Sequence, residues 1–374
     1  MKHTLSYYHR INRRTVLKGF GAAAAGAALP SPSFAATEHL NYMCWEGYDS
    51  PAVLDPFKKD HDVEFSVDRI TDSPGGFAKL AAGAYRDFDL VSTDLPWVQR
   101  MGPAGFCRYL DPAEFAEQYA GFYPQFQAPF EPLMDDGKVT GLPTRWGWVS
   151  PSINLDHDTV ENWRTYAPVF DSKYKDKICL LDWGEWPIMP LVLHAGIDPW
   201  QELDQAALDE VRKVIKAALA NTRAIIGDLA IAQRGLLDGS LFGLIGGGTY
   251  TTLNMRAQGH LNIVCPVPEP NNGMKQGVIW MEATGLIENG KDSDLAKAFL
   301  KHLVKPEVAM NLAFTEATSN LVPTKAAEDL MTPKQREAML LDYAPTAQER
   351  SNFLRIVPNV DDFLAIWGEE LAAR

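Results

Sequence analysis

The sequence predicts an α/β protein of two lobes joined at a hinge. Three observations carry that expectation. Short apolar, strand-like runs alternate with helical ones, two Pro/Gly-rich breaks interrupt the chain, and 374 residues of which 46% are hydrophobic and 22% charged can fill two ordinary cores. The alternation opens with His39–Cys44 as a strand, Ala52–Asp60 as a helix and Val63–Asp68 as a strand. A turn at Ser73-Pro74-Gly75-Gly76 precedes a helical Phe77–Ala82. Asp89–Ser92 reads as a buried strand, and Pro96 suits the first turn of a short helix. Trp148–Asn154 is expected as a strand and Gln205–Ala220 as an amphipathic helix. Leu241–Ile245 and Leu261–Val264 read as strands around a helix near 251–257. A strand at Ile279–Glu282 and helices at Asp294–Leu303 and Pro306–Phe314 complete the pattern. The breaks, Met134–Gly147 and Pro266–Gly277, are where the chain is expected to cross between lobes, leaving a cleft.

The first 35 residues read as an export address. They hold five basic residues (Lys2, Arg10, Arg13, Arg14, Lys18), no acidic one, a soft apolar run from Phe20 to Leu29, and small residues at Ser33 and Ala35. The paired arginines in Asn12-Arg13-Arg14-Thr15-Val16-Leu17-Lys18 resemble a twin-arginine signal. Cleavage after Ala35 would leave 339 residues and take the net charge from −13 to −18. So acidic a chain, with no local basic cluster, is not expected to bind nucleic acid. No later stretch is apolar for long enough to span a membrane, so an exported, soluble, periplasmic protein is expected. Export permits disulfides among Cys44, Cys107, Cys179 and Cys265. The strand-like settings of Cys44, Cys179 and Cys265 equally allow buried thiols.

No nucleophile elbow, HExxH pair or EF-hand loop is present, and the eight histidines are scattered. Gly285–Asp292 nearly spells a phosphate-binding loop. Asp292 stands where a Ser or Thr is needed, and Glu288 would repel phosphate, so a strand end with an Asn-Gly turn is expected. No enzyme, metal or cofactor is expected. What remains are three fragments that combine aromatics with carboxylates: Trp45-Glu46-Gly47-Tyr48, Asp182-Trp183-Gly184-Glu185-Trp186 and Trp280-Met281-Glu282. Carboxylates accept charge-assisted hydrogen bonds from an ammonium, and indole or phenol faces attract the same cation. Asp182 and Glu185 have the spacing of a helix capping box, but Pro187 would then sit inside the helix. A later helix start leaves both acids on a loop at a strand's carboxyl end, where α/β clefts form.

The order and spacing of several segments resemble the spermidine/putrescine-binding periplasmic proteins of bacterial ABC importers. These are Asn41–Tyr48, Phe88–Asp94, Leu142–Gly147, Tyr174–Asp182, Trp280–Glu282 and Lys305–Ala309. The resemblance implies a two-lobed type II periplasmic-binding fold. Residues 36–145 with 279–322 would form one lobe, and 146–278 with 323–374 the other. It implies ligand contacts at Trp45, Tyr48, Thr93, Asp182, Glu185, Trp280 and Glu282, with Glu282 holding an inner amine. Glu46, Arg145, Trp146 and Gly246 complete the candidate set. Leu95, Gly246 and Asn320 stand where the family has aromatic residues, and Arg145 adds a cation near the hinge. The expected function is delivery of a cationic amine, such as putrescine or spermidine, to a membrane permease by a monomer. A zwitterionic amino-carboxylate held through Arg145 is the first alternative; a secreted hydrolase or a metal-capture protein would be others.

Overall fold

The computed structural model describes residues 38–374 apart from 292, 316 and 317. The export signal expected over residues 1–35 and the end of the Gly285–Asp292 loop lie outside the described residues. The chain opens with β1 (Glu38–Cys44), α1 (Pro51–His61) and β2 (Val63–Arg69), a βαβ unit whose strands pair in parallel. Helix α2 (Ser73–Ala81) begins four residues earlier than expected. Asp72 accepts the Gly75 N–H at 2.6 Å and Pro74 occupies the first turn, so Ser-Pro-Gly-Gly is the capped start of the helix rather than a separate turn. Then come β3 (Leu90–Asp94), parallel to β1, and α3 (Leu95–Met101), which carries Pro96 in its first turn as expected.

The first crossing is not a loop. Leu142–Val149 forms a fully buried strand, β4. The proline that argues against a strand here, Pro143, lies where the pairing slips: Arg145 faces Glu282, but Pro143, not Thr144, faces Ala283. A β-bulge is one of the few places where a strand tolerates a residue without an N–H.

The second lobe holds β5 (Ser152–Asn154), β6 (Ile178–Leu181), α4 (Ile188–His194) and α5 (Gln205–Asn221). It continues through β7 (Ala224–Ile226), β8 (Gly243–Ile245), α6 (Thr249–Ala257) and β9 (Ile263–Val264). The expected single strand 148–154 is thus two, β4 and β5, separated at Ser150-Pro151. The second break, 266–276, holds no regular helix or strand, as expected, and leads into the second hinge strand, β10 (Gly277–Ile287), eleven buried residues long and antiparallel to β4 from Val278 to Thr284. Helices α7 (Asp294–Leu303) and α8 (Pro306–Ala313), strand β11 (Ser351–Phe353) and helix α9 (Val360–Ala372) follow.

One sheet has the order β11-β10-β3-β1-β2, with β4 also on β10; the other has the order β7-β6-β8-β5-β9. The two long strands belong to the first sheet, and β4 leads directly into β5 of the second. A first core gathers Leu40, Tyr42, Phe57, Phe126, Trp146 and Phe299 around one sheet, and a second gathers Ile153, Trp163, Leu180, Ile215, Ile245 and Trp367 around the other. Residues 323–347, assigned from the sequence to the second lobe, contribute Ala327, Met331, Met339 and Ala347 to the first core. From Leu354 onward the chain packs on the second. All four cysteines are buried free thiols.

Candidate functional site

The site is built from strand ends that meet at the hinge. The carboxyl end of β1 delivers Trp45, Glu46 and Tyr48, and that of β3 delivers Asp94. The end of β6 leads into the loop carrying Asp182, Trp183, Glu185 and Trp186. The middle of β10 supplies Trp280 and Glu282, and β4 supplies Arg145. This is where ligands bind in α/β folds, because each chain reversal places side chains above the sheet edge.

At the centre lies a buried ion pair. The Arg145 guanidinium donates to Glu282 Oε2 at 2.8 Å and Oε1 at 2.9 Å, a bidentate fork between paired residues of the two hinge strands. Its remaining bonds go to the Glu46 carbonyl at 3.1 Å and the Thr318 hydroxyl at 3.2 Å, and its Cζ sits 4.5 Å from the centre of the Tyr48 ring. The two side chains are 0% and 4% exposed. Burial opposes the Arg145 charge, but the adjoining Glu282 carboxylate, with Tyr48 and Tyr250, outweighs it and holds its pKa above the ordinary value. Two ions so deeply buried are tolerable only when each satisfies the other.

A row of charges crosses three neighbouring strands. Asp94 on β3 faces Glu282 on β10, which faces Arg145 on β4. Facing residues share one side of a sheet. Asp94 accepts the Ser73 hydroxyl at 2.6 Å. Burial, then the nearby Glu282 and Glu185 carboxylates, push its pKa up to about 7, against the Ser73 bond and Arg145. Glu185 is half-buried, and burial raises its pKa too. Neither Asp94 nor Glu185 has an ion-pair partner among the described residues.

Aromatic rings on the same segments pack against one another. Trp280 is 1% exposed; its ring lies against Tyr250 at 6.1 Å and Trp186 at 6.5 Å, and its indole N–H donates to the Thr249 hydroxyl at 3.2 Å. Tyr250 meets Trp183 edge-on at 5.8 Å, and its hydroxyl donates to Glu46 Oε1 at 3.0 Å, joining the second lobe to the first. Gly147 faces Trp280 across the strand pair, and a Cβ there would lie 2.8 Å from the indole ring. That contact explains the glycine in Leu142–Gly147.

The sequence-derived candidates separate accordingly. Glu46, Tyr48, Glu185, Trp280, Glu282 and Arg145 come together. Trp45 is half-buried beside them, its Nε1 buried without a hydrogen-bond partner. Glu282 is not open to an inner amine, because Arg145 already holds both of its oxygens. Tyr48 is fully buried beneath that guanidinium, its hydroxyl 2.6 Å from Thr144 Oγ1. Asp182 is exposed; only its backbone N–H is engaged, extending the β6–β7 pairing to the Ile226 carbonyl. Trp146 points away from Arg145 into the first core, 5.2 Å from Phe126, as strand alternation requires. Gly246 has φ +107°, and a Cβ there would lie 3.1 Å from the Pro187 backbone, so local geometry demands glycine. Thr93 lies 3.3 Å from the Ser73 hydroxyl that also binds Asp94.

The sequence reading named Trp183 and Trp186 only within the fragment Asp182–Trp186, and did not single out Asp94 or Tyr250. Asp94 carried a usable signal, since it ends a strand just as Asp182 does. Tyr250 follows Gly246-Gly247-Gly248 at the start of α6, and nothing local marks it.

Comparison with known proteins agrees with this architecture. Residues 52–340 match the family described as bacterial extracellular solute-binding protein, and residues 10–30 match the twin-arginine translocation signal. The spermidine/putrescine-binding periplasmic protein of Salmonella typhimurium is 22% identical over 320 residues, covering 84% of this chain and 85% of that protein. Among solved structures, the spermidine/putrescine ABC transporter substrate-binding protein of Streptococcus pneumoniae superposes with a TM-score of 0.69 at 16% identity, covering 90% of this chain and 99% of that one. A periplasmic binding protein of A. tumefaciens B6, solved with glucopine, gives 0.60 at 16% identity, covering 88% and 99%. The chain therefore belongs to the bacterial extracellular solute-binding proteins: exported by the twin-arginine route, it is a non-enzymatic periplasmic component of an ABC importer, and it binds a small molecule for delivery to a membrane permease.

Proposed function

We propose that the ligand is a cationic amine, held between Asp94 and Glu185 and walled by Trp45, Trp183, Trp186, Trp280 and Tyr250. One observation carries this reading. Two carboxylates from opposite lobes, Asp94 and Glu185, have their proton affinity raised by burial, that of Asp94 also by the Glu282 and Glu185 charges; Arg100 partly offsets the rise at Glu185, and the buried cation beside them, Arg145, is committed to Glu282. An ammonium between them restores both charges and replaces the solvation lost on burial. Each charge-assisted bond contributes about 1.5–3 kcal/mol. Because the two acids stand on different lobes, such a ligand favours closure, and its differential affinity sets the shift. The names of the spermidine/putrescine-binding relatives support the same class.

A zwitterion held through Arg145 finds less support. Four hydrogen bonds occupy that guanidinium and its side chain is sealed from solvent. Titration calorimetry with butylamine, putrescine, spermidine and an α-amino acid tests the reading. Heat from amines is expected. Heat from the amino acid alone, or from none of the four, refutes it.

A further inference from the structure

The row Asp94–Glu282–Arg145 has a consequence for which amines fit. Asp94 and Glu282 share one sheet face on adjacent strands, so two acids side by side would offer seats for two ammonium groups. Arg145, next in the row, takes the second seat. It grips both oxygens of Glu282 and is anchored from three other directions: by the Glu46 carbonyl, the Thr318 hydroxyl and the Tyr48 ring. The fourth carboxylate, Glu46, already accepts the Tyr250 hydroxyl. We propose that Arg145 is a built-in substitute for a second ligand amine, so that di- and triamines gain no advantage at this site over amines with one cationic centre. This rests on the amine reading above and narrows it.

The physical reason is like-charge repulsion. A diamine whose first ammonium lies between Asp94 and Glu185 directs its second either toward the guanidinium or out into solvent. The first direction costs energy and the second gains little in water. An apolar body at that position instead meets the indole rings of Trp186 and Trp280.

Calorimetry with butylamine, putrescine and spermidine on the wild-type protein gives the first test. These share a four-carbon unit and differ in charge. Affinities within about fivefold of one another are expected; putrescine or spermidine binding more than about tenfold tighter than butylamine overturns the proposal, tenfold being 1.4 kcal/mol. Absence of heat from all three overturns the amine reading itself, so the two failures are distinct. The second test is Arg145→Met. It frees Glu282, and putrescine is expected to bind at least about tenfold tighter than butylamine, by one added charge-assisted bond. Adding Glu282→Gln to Arg145→Met should abolish that gain. Equal affinities for the two amines in Arg145→Met would overturn the role of Arg145. Should Arg145→Met fail to fold, the wild-type series decides by itself.

Discussion

Replacing Asp94 by Asn should stabilise the ligand-free protein while weakening its binding of amines. In the folded chain Asp94 titrates near 7 rather than 3.8, because burial and then Glu282 and Glu185 disfavour its charge. Between about pH 4 and 7 the folded state therefore holds a proton that the unfolded state has released, so stability falls as pH rises through that window. The full shift of about three units corresponds to roughly 4 kcal/mol at pH 8, at 1.36 kcal/mol per unit. Asp94 keeps partial solvent contact, which screens part of this. The amide also weakens the bond from Ser73, by about 1 kcal/mol. A net gain of about 1–3 kcal/mol is expected at pH 8 and less than about 1 kcal/mol at pH 5, where only the first part of the shift has been lost. Urea melts of both proteins at the two pH values, without ligand, measure this difference and cancel all other titrating groups. Asp94→Asn should also lose at least about tenfold in butylamine affinity at pH 8, the loss of one charge-assisted bond. A variant less stable than wild type at pH 8, or equally shifted at both pH values, refutes the electrostatic account.

Three further outcomes follow from the same geometry. Glu185→Gln should weaken amine binding at least about tenfold, whereas Asp182→Asn should leave it within about twofold, since only Glu185 faces the buried acids; calorimetry on both variants reads the contrast. Tyr250→Phe removes the hydrogen bond to Glu46 between lobes, worth about 0.5–1.5 kcal/mol, so small-angle scattering should show a more open ligand-free protein with unchanged secondary structure. Gly246→Trp should lower the melting temperature: left-handed backbone costs a non-glycine residue about 1–2 kcal/mol, before the crowding of Pro187.

The hinge shows how burial and function are linked. Breaking the Arg145–Glu282 pair by removing one partner strands a buried charge, at a cost of about 3–5 kcal/mol. Both residues sit on strands that belong to the crossing between lobes, so the pair pins the register of β4 on β10 next to the bulge at Pro143. The same pair lies beside Asp94 in the row across the sheet.

Local chemistry in the sequence determined much of this protein. The alternation of apolar runs specified the α/β class, because strand and helix periods are set by each segment's own residues. Glu185 and Trp45 were legible because they follow strands, Trp280 because it stands beside Glu282, and Pro187 correctly placed Glu185 ahead of α4. The end of the first crossing was misread as a loop because Pro143 and Gly147 argue against a strand locally. Only the pairing of β4 with β10 supplies the bulge that accepts the proline and the indole that requires the glycine. Likewise, Glu282 reads as a free acid along the chain. Its neutralisation by Arg145, 137 residues away, is a fact of strand register. So is the isolation of Asp94, whose two neighbouring carboxylates come from distant segments. Proton affinity at a buried site depends on which charges the fold brings within a few ångströms, and tertiary structure alone decides that.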